Sequence, residues 1–422
     1  MPTENNNVGG RAMRIVAGAA TMIILVCAML YSGRVAIARI FVKYATTVAD
    51  PAAADTAIGL TPKDAEVHYA RGALSNYLRQ PDAAVKELEL AVSLRPQDYY
   101  LWLDLGMTRD QVGDQAGALS CFNEAIRLAP YYAQPRWQRG NLLFRGGKYD
   151  EAFDDLRQAA TSDPDLLPAL IDLAWGASQK DAGLTEQILQ PQSNKTRYDL
   201  ALFFARHGKP DEAVAQLRSA GVVSTENRRE LIRALLSGGA MTQAFEVWSN
   251  KAGDSLAGRG SIFDGGFEGS LSLDESGFGW RVAPAQAGLS LSLDGSQPQS
   301  GSRSLRIDFS GQENPAAELV SQLILVDPAA RYKLNFGART NKIVTGGPLV
   351  FMVNDANGHQ SLGRSARLPA DTGGWQSFSF EFATGAATHA IVISLQRENC
   401  TTSPCPIFGS VNLDSFSLEQ AH

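Results

Sequence analysis

Apolar and polar residues follow three different rhythms along this chain. From Ile15 to Gly33 run 19 residues without a charge, and at 1.5 Å per residue a helix of that length crosses about 30 Å of hydrocarbon. From residue 62 onward the apolar positions take the spacing of helices that pack by one face. Near residue 255 that spacing stops, and short alternating segments appear between clusters of Gly, Ser, Asn and Asp. Leu305, Ile307 and Phe309 alternate with polar residues, as do Tyr332, Leu334 and Phe336, then Leu349, Phe351 and Val353, then Phe378, Phe380 and Phe382, then Ile391, Ile393 and Leu395. Alternation of this kind predicts strands with one buried face. The expected chain is therefore multidomain, with a transmembrane helix, an all-α region and an all-β region in that order.

Within the helical region the residues repeat with a period of 34: Gly72, Gly106 and Gly140; Ala84, Ala118 and Ala152; Ala91, Ala125 and Ala159; Pro96, Pro130 and Pro164. Leu88, Phe122 and Leu156 supply a large apolar residue in the same register. This resembles the tetratricopeptide repeat, in which small residues sit where paired helices cross and a proline closes the second helix. Gly113-Asp114 and Gly147-Lys148-Tyr149 provide turns between helices, and the motifs at 207–213 and 238–244 extend a weaker pattern. Three clear repeats and two or three degenerate ones are expected, about six helix pairs forming one stacked solenoid over residues 62–251. The resemblance implies a partner-binding groove on the first helices. The register places Tyr69, Asn76, Tyr100, Met107, Trp137, Asn141 and Arg145 there, with packing between neighbours as the competing role for Tyr69 and Trp137.

The alternating segments of residues 255–422 carry a second resemblance, borne by the Phe263-to-Glu268 motif, Trp280, the Gly301-to-Ile307 motif, Tyr332-Lys333-Leu334, Gly374-Trp375 and Val411-to-Asp414. Together they resemble a carbohydrate-binding module with a jelly-roll β-sandwich. The resemblance implies a glycan face, for which Trp280, Arg339, Asn354 and Gln396 are the candidates; solvated outer positions are the alternative. Trp375 is read instead as closing the sandwich edge. Glu268 and Asp414 fall where such domains often hold a structural calcium, the one cofactor to be expected. Cys400 and Cys405 are close enough for a turn to join them as a disulfide, which points to an oxidising compartment.

An uncleaved anchor is expected at the N-terminus, since Met29-Leu30-Tyr31 offers no small-residue cleavage site. The segments then read as a cytoplasmic tail (1–14), a transmembrane helix (15–33), a juxtamembrane helix and linker (34–61), the solenoid and the sandwich. Basic residues on the two flanks, Arg11 and Arg14 against Arg34, Arg39 and Lys43, argue for the body inside. The cysteine pair and the sugar-binder-like domain argue for the opposite, a bacterial inner-membrane protein with its body in the periplasm or beyond.

Charge removes one class of partner. Lys and Arg number 38 against 44 Asp and Glu, without a basic face for phosphates, so nucleic acid is not expected. Five scattered histidines and the lack of a metal motif, phosphate loop or nucleophile elbow argue against an enzyme. The sequence thus describes an adaptor that binds envelope proteins or peptides through the solenoid and a polysaccharide through the sandwich, as in exopolysaccharide or O-antigen assembly. A structural scaffold whose sandwich binds only protein is the alternative.

Overall fold

The apolar segment belongs to one unbroken helix, α1 (Asn6–Val48), in a computed structural model that describes residues 6–252, 258–271, 275–283, 288–311, 318–358, 360–400 and 404–421. Two of the five histidines, His359 and His422, lie outside the described residues. The chain forms two compact units, Met1–Gln190 and Pro191–His422.

In the first unit, α1 is followed by α2 (Pro51–Leu60), then by the pairs α3 (Ala65–Tyr77) and α4 (Pro81–Leu94), α5 (Tyr99–Gln111) and α6 (Gln115–Leu128), α7 (Ala133–Arg145) and α8 (Tyr149–Ser162), and α9 (Leu167–Ala177) and α10 (Ala182–Leu189). Local chemistry sets these boundaries. Asp64 and Asp98 accept hydrogen bonds from the Glu66 and Tyr100 amides, capping α3 and α5. Pro96 and Pro130 stand just beyond α4 and α6, where they halt both helices. The small and large columns of the repeat meet face to face: a Cβ on Gly72 would lie 2.9 Å from Leu88 Cγ, one on Gly106 2.6 Å from Phe122 Cε1, and one on Gly140 2.7 Å from Leu156 Cγ. Each glycine is there because a large side chain fills the space its own would need.

Residues 34–61, read from the sequence as a juxtamembrane helix and linker, contain a further helix pair. Ala45, Ala53, Ala54 and Leu74 share one small core, and Ala38, Ala57 and Val67 another, so the end of α1 packs on α2 and α3. Arg39 secures the joint with ion pairs to Asp64 at 3.0 Å and Glu66 at 3.2 Å.

The second unit opens with two more pairs, α11 (Asn194–Arg206) with α12 (Pro210–Ala220) and α13 (Thr225–Ser237) with α14 (Met241–Ala252), and continues in strands. These are β1 (Arg281–Val282), β2 (Leu289–Asp294), β3 (Ser304–Ser310), β4 (Val320–Leu325), β5 (Arg331–Thr345), β6 (Leu349–Asp355), β7 (Ser361–Arg364), β8 (Gln376–Ala383), β9 (Ala390–Arg397) and β10 (Ile407–Ala421). They pair antiparallel in two sheets, ordered β1-β4-β9-β6-β7 and β2-β3-β10-β5-β8. The alternating residues of both sheets meet in one core that includes Ile307, Leu334, Phe336, Phe351, Val353, Ile393 and Leu395. Burying such side chains contributes about 1.5–3 kcal/mol each, which holds the two layers together.

Candidate docking surfaces

The solenoid residues singled out from the register lie where first helices were expected, on α3, α5 and α7, but most of their polar atoms are spent between repeats. The Asn76 side-chain amide donates to Thr108 Oγ1 at 2.8 Å, joining α3 to α5. Arg145 pairs with Asp110, joining α7 to α5, and Asn141 donates to the Trp137 carbonyl one turn back. Tyr69 stands edge-on to Tyr100, ring centroids 5.8 Å apart. Burial and hydrogen bonding to Tyr100 and Asp104 push the Tyr69 phenol far above its ordinary value, so it stays protonated. Burial also raises the Asp104 carboxyl, against the pull of the Tyr69 hydrogen bond. Met107 is partly buried against the small core that contains Leu103 and Phe122. Of the expected set, Tyr100 and Arg145 are exposed and Trp137 is partly so, Arg145 with its guanidinium engaged by Asp110.

Aromatic surface that the register did not reach continues from Tyr100. Tyr99 contacts Tyr132 with centroids 4.9 Å apart, and Tyr131 beside it is 88% exposed. The signal was the doubled tyrosines at 99–100 and 131–132, the first pair beginning three residues after Pro96 and the second directly after Pro130.

In the sandwich the expected glycan set does not converge. Trp280 is buried in the core against Phe267 and Phe416, its indole N–H donating to the Asp264 carbonyl at 2.9 Å. A stacking platform needs an open ring face, and Trp280 has none. Asn354 on β6 and Gln396 on β9 share the outer face of one sheet, but Gln396 is opposite Val350, four residues from Asn354 along β6. Arg339 lies on β5 in the other sheet. β5 and β6 follow each other in sequence but join different sheets, so outward residues on the two are on opposite sides of the domain.

What does converge is the loop of residues 295–303. Asp414, fully buried, accepts hydrogen bonds from the Gln299 and Ser300 amides at 2.7 and 3.1 Å. Glu268 accepts from the Ser302 and Arg303 amides at 2.7 and 3.2 Å, and the Ser302 hydroxyl and amide hold its carboxyl below the usual carboxylate range. These two acids, expected to hold calcium, spend their oxygens on N–H and O–H donors. Among the described residues no third acid joins them, so the set does not fit a cation that wants six to eight oxygen ligands. Trp375 donates to the Gln297 carbonyl at 2.9 Å. The Arg339 guanidinium lies over the Trp375 ring, 5.3 Å from its centroid, and donates to Gln297 Oε1 at 2.6 Å. The end of the Gln299 side chain lies over Gly337, in the space a Cβ there would take. At the near end Asp294 is held at about 2, by the Ser296 hydroxyl and amide first and then by Asn412 and Arg306. Cys400 and Cys405 are joined, at the end of β9 and before β10.

With this geometry in view, residues 99–132 and 133–166, which are α5–α8, each match the tetratricopeptide repeat family model. These two segments are tetratricopeptide repeats. The curated protein FlbA of Caulobacter vibrioides is 29% identical over 85 residues, 20% of this chain and 14% of its own length; the match therefore spans only a small part of that relative. Two solved structures titled as MamA overlap at TM-scores of 0.27 and 0.30 with 17% and 16% identity. They cover 40% and 54% of this chain and 84% and 97% of their own. Overlaps this loose carry no argument about function. Tetratricopeptide repeats mediate contacts between proteins, and that general role attaches to the helical region.

Proposed function

We propose that the chain is a membrane-anchored adaptor, with no reaction of its own, that docks proteins on the first helices of its repeats. The observation that carries this reading is α1: an apolar helix continues without a break into the packing of the repeats, so anchor and docking surface move as one piece. Mean hydropathy along Met13–Val48 reaches 2.2 over 18 residues, with none of that window buried. Exposed Ile, Leu and Met in such density need lipid or protein around them. The joined Cys400 and Cys405 favour an extracytoplasmic body. Alkaline carbonate extraction of membranes containing the full chain tests the anchor: the chain should stay in the pellet, and its release to the supernatant would overturn this reading.

For the sandwich the proposed ligand is a polysaccharide, on a jelly-roll-like arrangement in which the two longest strands, β5 and β10, are paired inside one sheet. The observation that favours it is the Trp375–Arg339 pair above a loop held from several sides, because a rigid aromatic with a planar cation suits a sugar ring and its hydroxyls. Glycan-array binding by the full chain should fall at least tenfold on Trp375→Ala. If no glycan is retained, the sandwich contacts protein instead.

A further inference from the structure

We propose that α1 pairs in parallel with the α1 of a second copy of this chain, along one apolar stripe that extends from the membrane segment past its end. This rests on the anchored reading above. Beyond residue 33, α1 has three distinct faces. Ala38, Phe41, Val42 and Ala45 turn toward α2 and α3. Arg39, Lys43 and Thr46 form a polar side. The third side is apolar and uncovered: Ile37, Ile40, Tyr44 and Val48 are 47%, 67%, 54% and 51% exposed. At 100° per residue these four fall within an arc of about 80°, and their steps of three, four and four are those of a helix seam.

The bilayer does not account for this side. Arg39 is ion-paired to Asp64 and Glu66 and Lys43 is exposed, so hydrocarbon ends near Arg34. Projected toward the N-terminus, the same arc passes through Gly33, Leu30, Val26, Met22, Ala19 and Ile15, all exposed. The steps remain three or four throughout, and the small Ala19 and Gly33 permit close approach of backbones within lipid. From Ile15 to Val48 the stripe is about 50 Å long, against about 30 Å of hydrocarbon.

Area decides which occupant fits. Fully burying an Ile or Val removes about 60–120 Å² from solvent, so four half-exposed side chains from each of two copies contribute only about 400 Å². That is too little for a stable interface, which needs upward of about 1,000 Å². The six positions inside the apolar segment add close packing between helices in lipid, where the contact rests on van der Waals fit and not on area removed from water. An occupant must therefore follow the stripe both in lipid and in water, and a second copy anchored in the same membrane with the same polarity does so at high effective concentration.

The test uses the full chain in membranes, as two differently tagged copies in a Cys27→Ser background, with one new cysteine at a time and copper phenanthroline as oxidant. Ile37→Cys, Ile40→Cys and Tyr44→Cys should each give a mixed-tag dimer at least fivefold above Thr46→Cys on the far side. Equal yields at all four positions, or none, overturn the pairing. Stripe cysteines that stay monomeric would show either lipid, if they resist a water-soluble maleimide, or solvent, if they react; both outcomes reject it. Carbonate extraction of the same membranes reads the anchor separately, so loss of anchoring and loss of pairing are told apart.

Discussion

Asp155 on α8 and Asp414 on β10 are both nearly inaccessible acids, 3% and 0% exposed, yet the two halves of the chain satisfy them in different ways. In the repeats Asp155 receives the Arg139 guanidinium through two bonds of 2.5 and 2.6 Å, with Arg136 at 3.5 Å. In the sandwich Asp414 receives backbone amides of one loop. The repeat uses a charge to lock neighbouring helices, and the sandwich uses a charge to shape a loop. This difference explains where each region can bind. A solenoid gains its surface from the stacking of similar units, while a sandwich gains it from particular loops that must be held in place.

The largest effect should come from the repeat acid. Asp155→Ala leaves Arg139 without its carboxylate, with only the Asn123 side-chain oxygen to receive it, a loss of about 3–5 kcal/mol, to be read from urea unfolding of the full chain followed by circular dichroism at the helical signal. A loss below about 1 kcal/mol would mean that the arginines find other partners and that the lock is dispensable. Asp414→Ala should cost about 2–4 kcal/mol, since buried amides go unpaired. Its distinguishing mark is local: hydrogen exchange at Gln299 and Ser300 should accelerate strongly, with little change on α5–α8.

Smaller changes sharpen the contrast further. Gly106→Ala forces a methyl into the Phe122 ring, and overpacking of this kind costs about 1–3 kcal/mol; an unchanged unfolding midpoint would show that the helix pair opens freely. Asp294 adds an acid-dependent term to the sandwich. Its folded value of about 2 lies below the unfolded value of about 4, so the stabilisation is fully present above pH 4 and is lost as pH falls through 2. Discounted for solvent, this amounts to about 1–2 kcal/mol, and Asp294→Asn should flatten that part of the stability profile.

What could be read from the sequence differed in the same two-part way. In the repeats, columns spaced by 34 become contacts directly, because the unit that repeats in sequence also repeats in space; Gly106 meets Phe122 for that reason. The α1–α2 pair escaped this reasoning. Its turn, at residues 49–50, comes about four residues later than the 34-residue register places it, and α2 has 10 residues where α4 has 14. In the sandwich, alternation identified inward residues such as Ile307 and Phe351 correctly. It could not say which sheet each strand joins, so Arg339 was grouped with Asn354 and Gln396 across two sheets. The convergence of Glu268, Asp414, Arg339 and Trp375 on residues 295–303 depends on side-chain reach between strands distant in sequence, which no local pattern encodes.

The central claim is that the first-helix surface of the repeats docks protein. It is tested most directly by placing a photo-cross-linking amino acid at Tyr100 or Trp137, on α5 and α7, and at Glu124 on the second helix α6, in the full chain within its native membranes. The account predicts discrete protein adducts from 100 and 137 and none from 124; adducts absent from both first-helix sites, or equally strong at all three, would contradict it.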